Sequence, residues 1–172
     1  MGTCLILGGA DCVREDHAKA TALGEFAGTL AANAIMCVWE GPLTAAVSLH
    51  REYLPPFLNR RAERGYPAPE RIYGPDETAY LFPGQKTVGS SGLYALKIAL
   101  LDLGFDRAVL CGVPMDERPH FNDPAPWDEC PGYLDGWIEA MPHIRDRTRS
   151  CSGWTADALG YPTAAWIKGN QP

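Results

Sequence analysis

Apolar residues along this chain come in short runs, each closed by a turn-forming cluster. Cys4-Leu5-Ile6-Leu7 gives way at once to Gly8-Gly9-Ala10-Asp11, so a buried strand over 3–7 should end in a tight turn. From 15 to 33 the composition shifts to Ala, Leu, Glu and Lys, with Ala18, Ala22, Phe26 and Leu30 at a helical spacing, which predicts a helix with one apolar stripe. The run over 35–39 closes on Glu40-Gly41-Pro42 and predicts a second buried strand. A third short strand is expected over 45–49, ending before His50. Residues 53–65 then form a helix, with Pro55-Pro56 near its start and Gly65 at its stop.

Further on, Arg71-Ile72-Tyr73 is a weaker strand candidate, and 74–89 is turn-rich without a period. Ser90-Ser91-Gly92 opens a helix over 93–103 that stops at Gly104, and Arg107 to Cys111 is the clearest late strand, closed by Gly112-Val113-Pro114. A long loop at about 114–132 follows, with four prolines from Asp116 to Gly132, then a short helix over 133–141. Residues 143–151 alternate as a strand would, placing Arg145, Arg147 and Arg149 on one side, and a tail with a short helix runs from 154. Strands alternating with helices predict one α/β domain over 1–172, a Rossmann-like three-layer sandwich around a mostly parallel sheet. In such sheets ligands bind beyond the carboxyl ends of the strands.

Composition narrows this picture. The 172 residues include 18 Gly and 15 Pro, which implies shaped loops on a regular scaffold. A net charge of −6 gives no support to a duplex nucleic-acid surface. Neither a long apolar span nor a basic leader precedes the first strand, so no membrane contact and a cytoplasmic location are expected. Ile6 stands where a myristoylation motif needs Ser or Thr. The six cysteines never occur as C-x-x-C, which excludes a zinc ribbon, and Cys4, Cys37 and Cys111 sit in apolar runs as core residues do. Arg60, Arg61 and Arg64 are expected on the wet face of their helix.

Candidate chemistry collects at the expected strand ends. Gly8, Gly9, Ala10 and Asp11 form a turn whose amides could approach a phosphate, although the G-x-G-x-x-G spacing is absent and a chain-reversing turn also explains it. Gly89, Ser90, Ser91 and Gly92 precede a helix whose first turn lacks acidic residues, which suits an anion; a serine N-cap is the plainer account. Gly112 ends the late strand. Gly84-Gln85-Lys86-Thr87 fails the P-loop pattern at Gln85 and Tyr80. His120, in the long loop, is a candidate base, and His50 a candidate base or phosphate donor. Asp116 could orient a hydroxyl or hold a metal, although single loop carboxylates usually belong to solvated turns. The arginine row could clamp a diphosphate, or could simply protect an edge strand.

Residues 89–100 followed by 103–116, with a Ser-Gly helix start, a Leu103-Gly104 stop and a strand ending in Gly112-Val113-Pro114-Met115-Asp116, resemble one half of the bacterial sialyltransferases and the related hydroxymethylpterin diphosphokinase-like domains. They also resemble small Rossmann-like proteins carried by phages and prophages. The first glycine loop reads Gly-Gly-Ala-Asp where the family has Gly-x-Gly-Pro-Ser. The resemblance implies a small-molecule nucleotide or nucleotide-sugar ligand, such as a CMP-linked sugar, held by both loops, and a glycosyl- or phospho-transferase. In that case His120 takes the acceptor proton, while His50 or the arginine row steadies the leaving phosphate. The alternative is a noncatalytic interaction or structural protein on a degenerate Rossmann fold. A hydrolase using Cys111 or Ser91 lacks the G-x-S-x-G elbow.

Overall fold

A computed structural model of the chain describes residues 1–75 and 80–169. Six strands, β1 (Thr3–Leu7), β2 (Gly28–Ala32), β3 (Ala45–Val47), β4 (Arg71–Tyr73), β5 (Arg107–Cys111) and β6 (Thr148–Ser150), form one sheet in the order β4-β3-β2-β1-β5-β6. Every pairing is parallel. The helices are α1 (Val13–Thr21), α2 (Leu54–Glu63), α3 (Ser91–Lys97), α4 (Pro131–Ile144), α5 (Gly153–Leu159) and α6 (Ala164–Ile167), and α3 runs on into a π turn over Ile98–Asp102. The fold is the expected Rossmann-like three-layer sandwich. No helix among the described residues is long and apolar enough to cross a membrane.

The alternation of a strand's side chains divides the core in two. Cys4, Ile6, Leu30, Ala32, Ala108 and Leu110 face α3 and α4, where Leu93, Leu96, Trp137 and Ile144 complete one apolar layer. Leu5, Leu7, Ala31, Ala46, Val109 and Cys111 face the other way, onto Val13 and Ala20 of α1, Leu54 of α2 and Trp166 and Ile167 of α6. Buried on both faces, β1 reads as a continuous apolar run from Cys4 to Leu7, and the one polar residue, Thr3 at its start, is satisfied by Ile167 O at 2.8 Å. All six cysteines are buried and free.

The structure differs from the sequence pattern in four places. The helix expected over 15–33 ends at Thr21, and Leu30 lies in β2 instead. Strand β2 sits beside the central strand and its small residues are selected by space: a Cβ on Gly28 would stand 2.6 Å from the Phe105 ring. Alanines chosen for size imitate helix propensity. The strand expected over 35–39 is a 3-10 turn over Asn33–Cys37, because Asn33 adopts φ +61° and turns the chain off the sheet.

The extended segment expected over 143–151 shrinks to β6. Ile144, fully buried, keeps the preceding residues in α4. The arginine row therefore does not form. Arg147 donates to the carbonyls of Phe105 (2.5 Å) and Asp106 (3.0 Å), and Arg149 lies 4.8 Å over the Trp166 ring. Finally, Arg61 is not on a wet face but only 1% exposed. Its guanidinium donates to the carbonyls of Met36 (2.9 Å), Trp39 (2.5 Å), Gly41 (2.7 Å) and Pro67 (2.6 Å). The turn-rich stretch expected over 74–89 and the end of the tail include residues 76–79 and 170–172, which lie outside the described residues.

Arg61 thus satisfies three carbonyls of the 3-10 turn and its exit and a fourth, Pro67 O, from the segment after α2, and burial holds its pKa below the usual value. Arg61→Met should lower stability by about 2–4 kcal/mol, since the freed carbonyls stay largely buried. Urea denaturation of the two proteins checks this, and Arg61→Lys should recover only part of the loss because an ammonium cannot span the same fork.

Candidate functional site

The strand order reverses at β1, with β2 on one side and β5 on the other, so the loops leaving these strands diverge and open a crevice. A cleft of about 240 Å³ occupies that position. Its walls come from the ends of β1, β2, β3 and β5, the start of α3 and the long loop before α4. Of the residues expected at a site, Gly8, Gly9, Ala10, Ser90, Ser91, Gly92, Gly112, His50, Asp116 and His120 all line it. Asp11 and Gly89 do not. The Asp11 side chain is exposed while its amide donates to Pro119 O at 3.0 Å, and Gly89 is packed against Leu93, where an added Cβ would stand 2.4 Å from Cδ2.

The glycines are required first by the protein itself. A Cβ on Gly8 would stand 2.2 Å from Gly112 O, and one on Gly92 would stand 2.7 Å from Val113 Cγ1. Gly8 N donates to Cys111 O (2.8 Å) and Ala10 N to Gly112 O (3.1 Å), so the two loops continue the β1–β5 pairing past the strands. Gly9 differs: what a Cβ there would meet is His120 Cδ2, at 2.9 Å.

Beneath these loops lies a carboxylate that the sequence pattern does not single out. Asp16, in the first turn of α1 and 1% exposed, accepts from Gly112 N (2.9 Å), Ser152 Oγ (2.6 Å) and Cys12 Sγ (3.3 Å), all through Oδ2. An acidic residue in a helix's first turn is the faint signal that could have marked it. The thiols nearby are held protonated. Burial pushes Cys12 up to about 11, and a hydrogen bond with Cys151, together with burial, raises Cys111 well above its usual value. Cys111 is fully buried and outside the cleft, which does not suit a nucleophile.

At α3 the N-cap Ser90 makes no side-chain cap. Its hydroxyl accepts from Trp137 Nε1 (3.2 Å), and that of Ser91 accepts from Leu49 N (3.2 Å). The first-turn amides are therefore left without a side-chain acceptor, at a helix end with no acidic neighbour in its first turn. Across the cleft the long loop is tied to the glycine loop. Phe121 N donates to Gly9 O (2.9 Å) and Asp11 N to Pro119 O (3.0 Å), with Ala10 and His120 as an antiparallel bridge.

This tie sets the half-buried His120 ring against Gly9. Trp127 meets it edge to face at 5.4 Å, and Tyr133 stacks on Trp127 at 5.6 Å. Neither ring nitrogen of His120 has a hydrogen-bond partner among the described residues. The other candidates are differently placed. His50 is exposed, its Nδ1 3.7 Å from Glu52. Asp116 is bound by Arg118, Nε to Oδ1 at 2.9 Å and Nη2 to Oδ2 at 3.0 Å. Among the described residues no group of three or more His, Cys, Asp or Glu side chains is arranged to hold a metal ion.

Sequence reasoning also missed Asn33, whose positive φ places it on the cleft wall with Oδ1 accepting from Ser48 Oγ at 2.8 Å. The expected helix and strand had met at this residue, so its backbone turn was invisible.

If Asp16 is what seats the glycine loops, Asp16→Ala should cost about 2–4 kcal/mol by leaving the Gly112 amide and Ser152 hydroxyl buried without an acceptor. Denaturant unfolding measures the loss, and amide exchange at Gly112 should accelerate beyond what the change in global stability accounts for. Comparison of the chain with protein-family models, with curated proteins and with solved structures finds no match.

Proposed function

We propose that the cleft binds a nucleotide or nucleotide-sugar, a CMP-linked sugar among them, and that the protein is a transferase moving a glycosyl or phosphoryl group. The observation that carries this reading is His120. A half-buried imidazole, pinned by Gly9 and Trp127 and with no hydrogen-bond partner at either nitrogen among the described residues, faces the same cleft as the start of α3. A histidine kept for packing usually finds a hydrogen-bond partner, as His143 does at Pro83 O (2.8 Å).

In the transfer, the acceptor's hydroxyl oxygen forms its bond to the transferred group while the bond from that group to the nucleotide phosphate breaks. The electron pair leaves with the phosphate, and His120 takes the hydroxyl proton. Free amides at the start of α3 hydrogen-bond the leaving oxygens, where charge develops. The position of the cleft, beyond the carboxyl ends of the strands where their order reverses, supports a ligand of this class.

One observation favours the noncatalytic alternative. Gly8 and Gly92, the glycines expected to admit a phosphate, are already demanded by contacts with Gly112 and Val113, so they would persist in a protein that had lost its ligand. The two readings part on binding. Calorimetric titration with CMP, UDP, GDP and ATP should show at least one ligand with a dissociation constant in the micromolar range, and no heat at millimolar concentrations of all four overturns the proposal. Gly9→Ala should fold with little loss, since only the His120 side chain obstructs the new Cβ, but should weaken that ligand or its turnover several-fold by displacing the ring. His120→Asn should retain most of the affinity and lose transfer roughly 100-fold or more.

A further inference from the structure

With Arg145 at the end of α4 and Arg147 and Arg149 committed to carbonyls and to Trp166, the row that could have clamped a diphosphate does not form. Among the described residues that line the cleft, Arg118 is the single Lys or Arg. It stands in the long loop, about a third exposed at its side chain.

Asp116 holds one edge of its guanidinium, and the Cys12 thiol makes a further hydrogen-bond contact with the group. Asp116 accepts Nε–H through Oδ1 at 2.9 Å and Nη2–H through Oδ2 at 3.0 Å, while Oδ1 also accepts the Arg118 backbone amide at 3.2 Å. The carboxylate is braced from behind. Gly153 passes close beneath it, where a Cβ would stand 2.8 Å from Asp116 Oδ2, and Gly153 is at φ +64°, which disfavours any side chain there. A guanidinium has five N–H groups in a rigid plane. Two are used, and the other three make no hydrogen bond to an oxygen of the described residues; the Cys12 thiol lies beside them.

We propose that Arg118 is the anion-recognising side chain of this cleft, Asp116 fixing the inner edge of its fork so that the outer edge receives a phosphoryl group of the ligand. This rests on the nucleotide reading above, and it gives Asp116 the part of a positioning residue, in place of the catalytic or metal-holding part its loop position suggested. The Asp116–Arg118 pair is neutral as a whole, and Glu129 also lines the cleft. Arg118 therefore contributes directed hydrogen bonds at contact distance rather than long-range attraction, and the geometry of a planar fork matches two phosphoryl oxygens. The amides at the start of α3 line the same cleft and complete a donor set with no lysine in it.

The test uses the full chain and two kinds of probe. Inorganic pyrophosphate and CMP carry the phosphoryl group, and cytidine lacks it. Arg118→Gln should weaken pyrophosphate and CMP about tenfold or more and leave cytidine unchanged, with Arg118→Lys recovering part of the loss because it restores charge without the fork. Thermal melts of both variants report whether folding is intact. On the wild type itself, the Nη–H resonances of Arg118 should shift on addition of pyrophosphate. Equal binding of pyrophosphate to wild type and Arg118→Gln overturns the assignment while the nucleotide reading stands, and so does an unmoved Arg118 resonance at saturating pyrophosphate. If neither pyrophosphate nor any nucleotide binds, both fall together.

Discussion

Three segments far apart in the chain end their strands at one carboxylate. Asp16 takes a backbone donor from the turn after β5, a hydroxyl from the turn after β6 and a thiol from the turn after β1, and each of these turns is a place where a parallel strand must hand its chain to a covering layer. Parallel strands offer no hairpins to fix their ends, so their exits need another source of order. A buried carboxylate costs a great deal unless its lone pairs are filled. Here the donors that fill them are the same groups that would otherwise be orphaned at the strand exits. The crevice above is shaped by that exchange: Gly112 is held down, Gly8 is pressed against its carbonyl, and the cleft floor follows.

The parts of the fold that could be read from the sequence were those in which local preference and tertiary position agree. Strand β5, the Gly65 and Gly104 stops and the strand-turn-helix opening fall in this class. Where space decided instead, the pattern misled. The alanines of β2 are helix formers placed in a buried strand between β1 and β3, and at its start Gly28 has no room for a Cβ beside the Phe105 ring. Arg61 reads as a surface residue by type. Its burial follows from carbonyls contributed by Met36, Trp39, Gly41 and Pro67, which no local window of sequence connects.

For the cleft, the topological rule supplied the location and most of the lining, because glycine and serine at strand exits signal tight turns whatever their purpose. It could not say what the glycines make room for. Gly8 admits another loop's backbone, Gly9 admits an imidazole and Gly153 admits Pro114 first and the Asp116 carboxylate behind it. Nor could it separate paired from unpaired charge: Asp116 and Arg118 stand two positions apart and neutralise each other, whereas the arginines at 145–149 form no alternating ridge once Ile144 belongs to a helix.

The two hydrogen bonds between the glycine loop and the long proline-bearing loop bear on how this cleft meets a ligand. Loops of that length usually hinge, and a hinged loop must surrender its freedom each time something binds. Here the ordering is completed when the chain folds, since Phe121 and Pro119 hold the backbone of Gly9 and Asp11 as neighbouring strands hold each other. A cleft tied in this way would act on a ligand as a mould formed in advance: its shape would have to fit beforehand, and exchange would be governed by how quickly the ligand leaves through the mouth rather than by the swing of a lid.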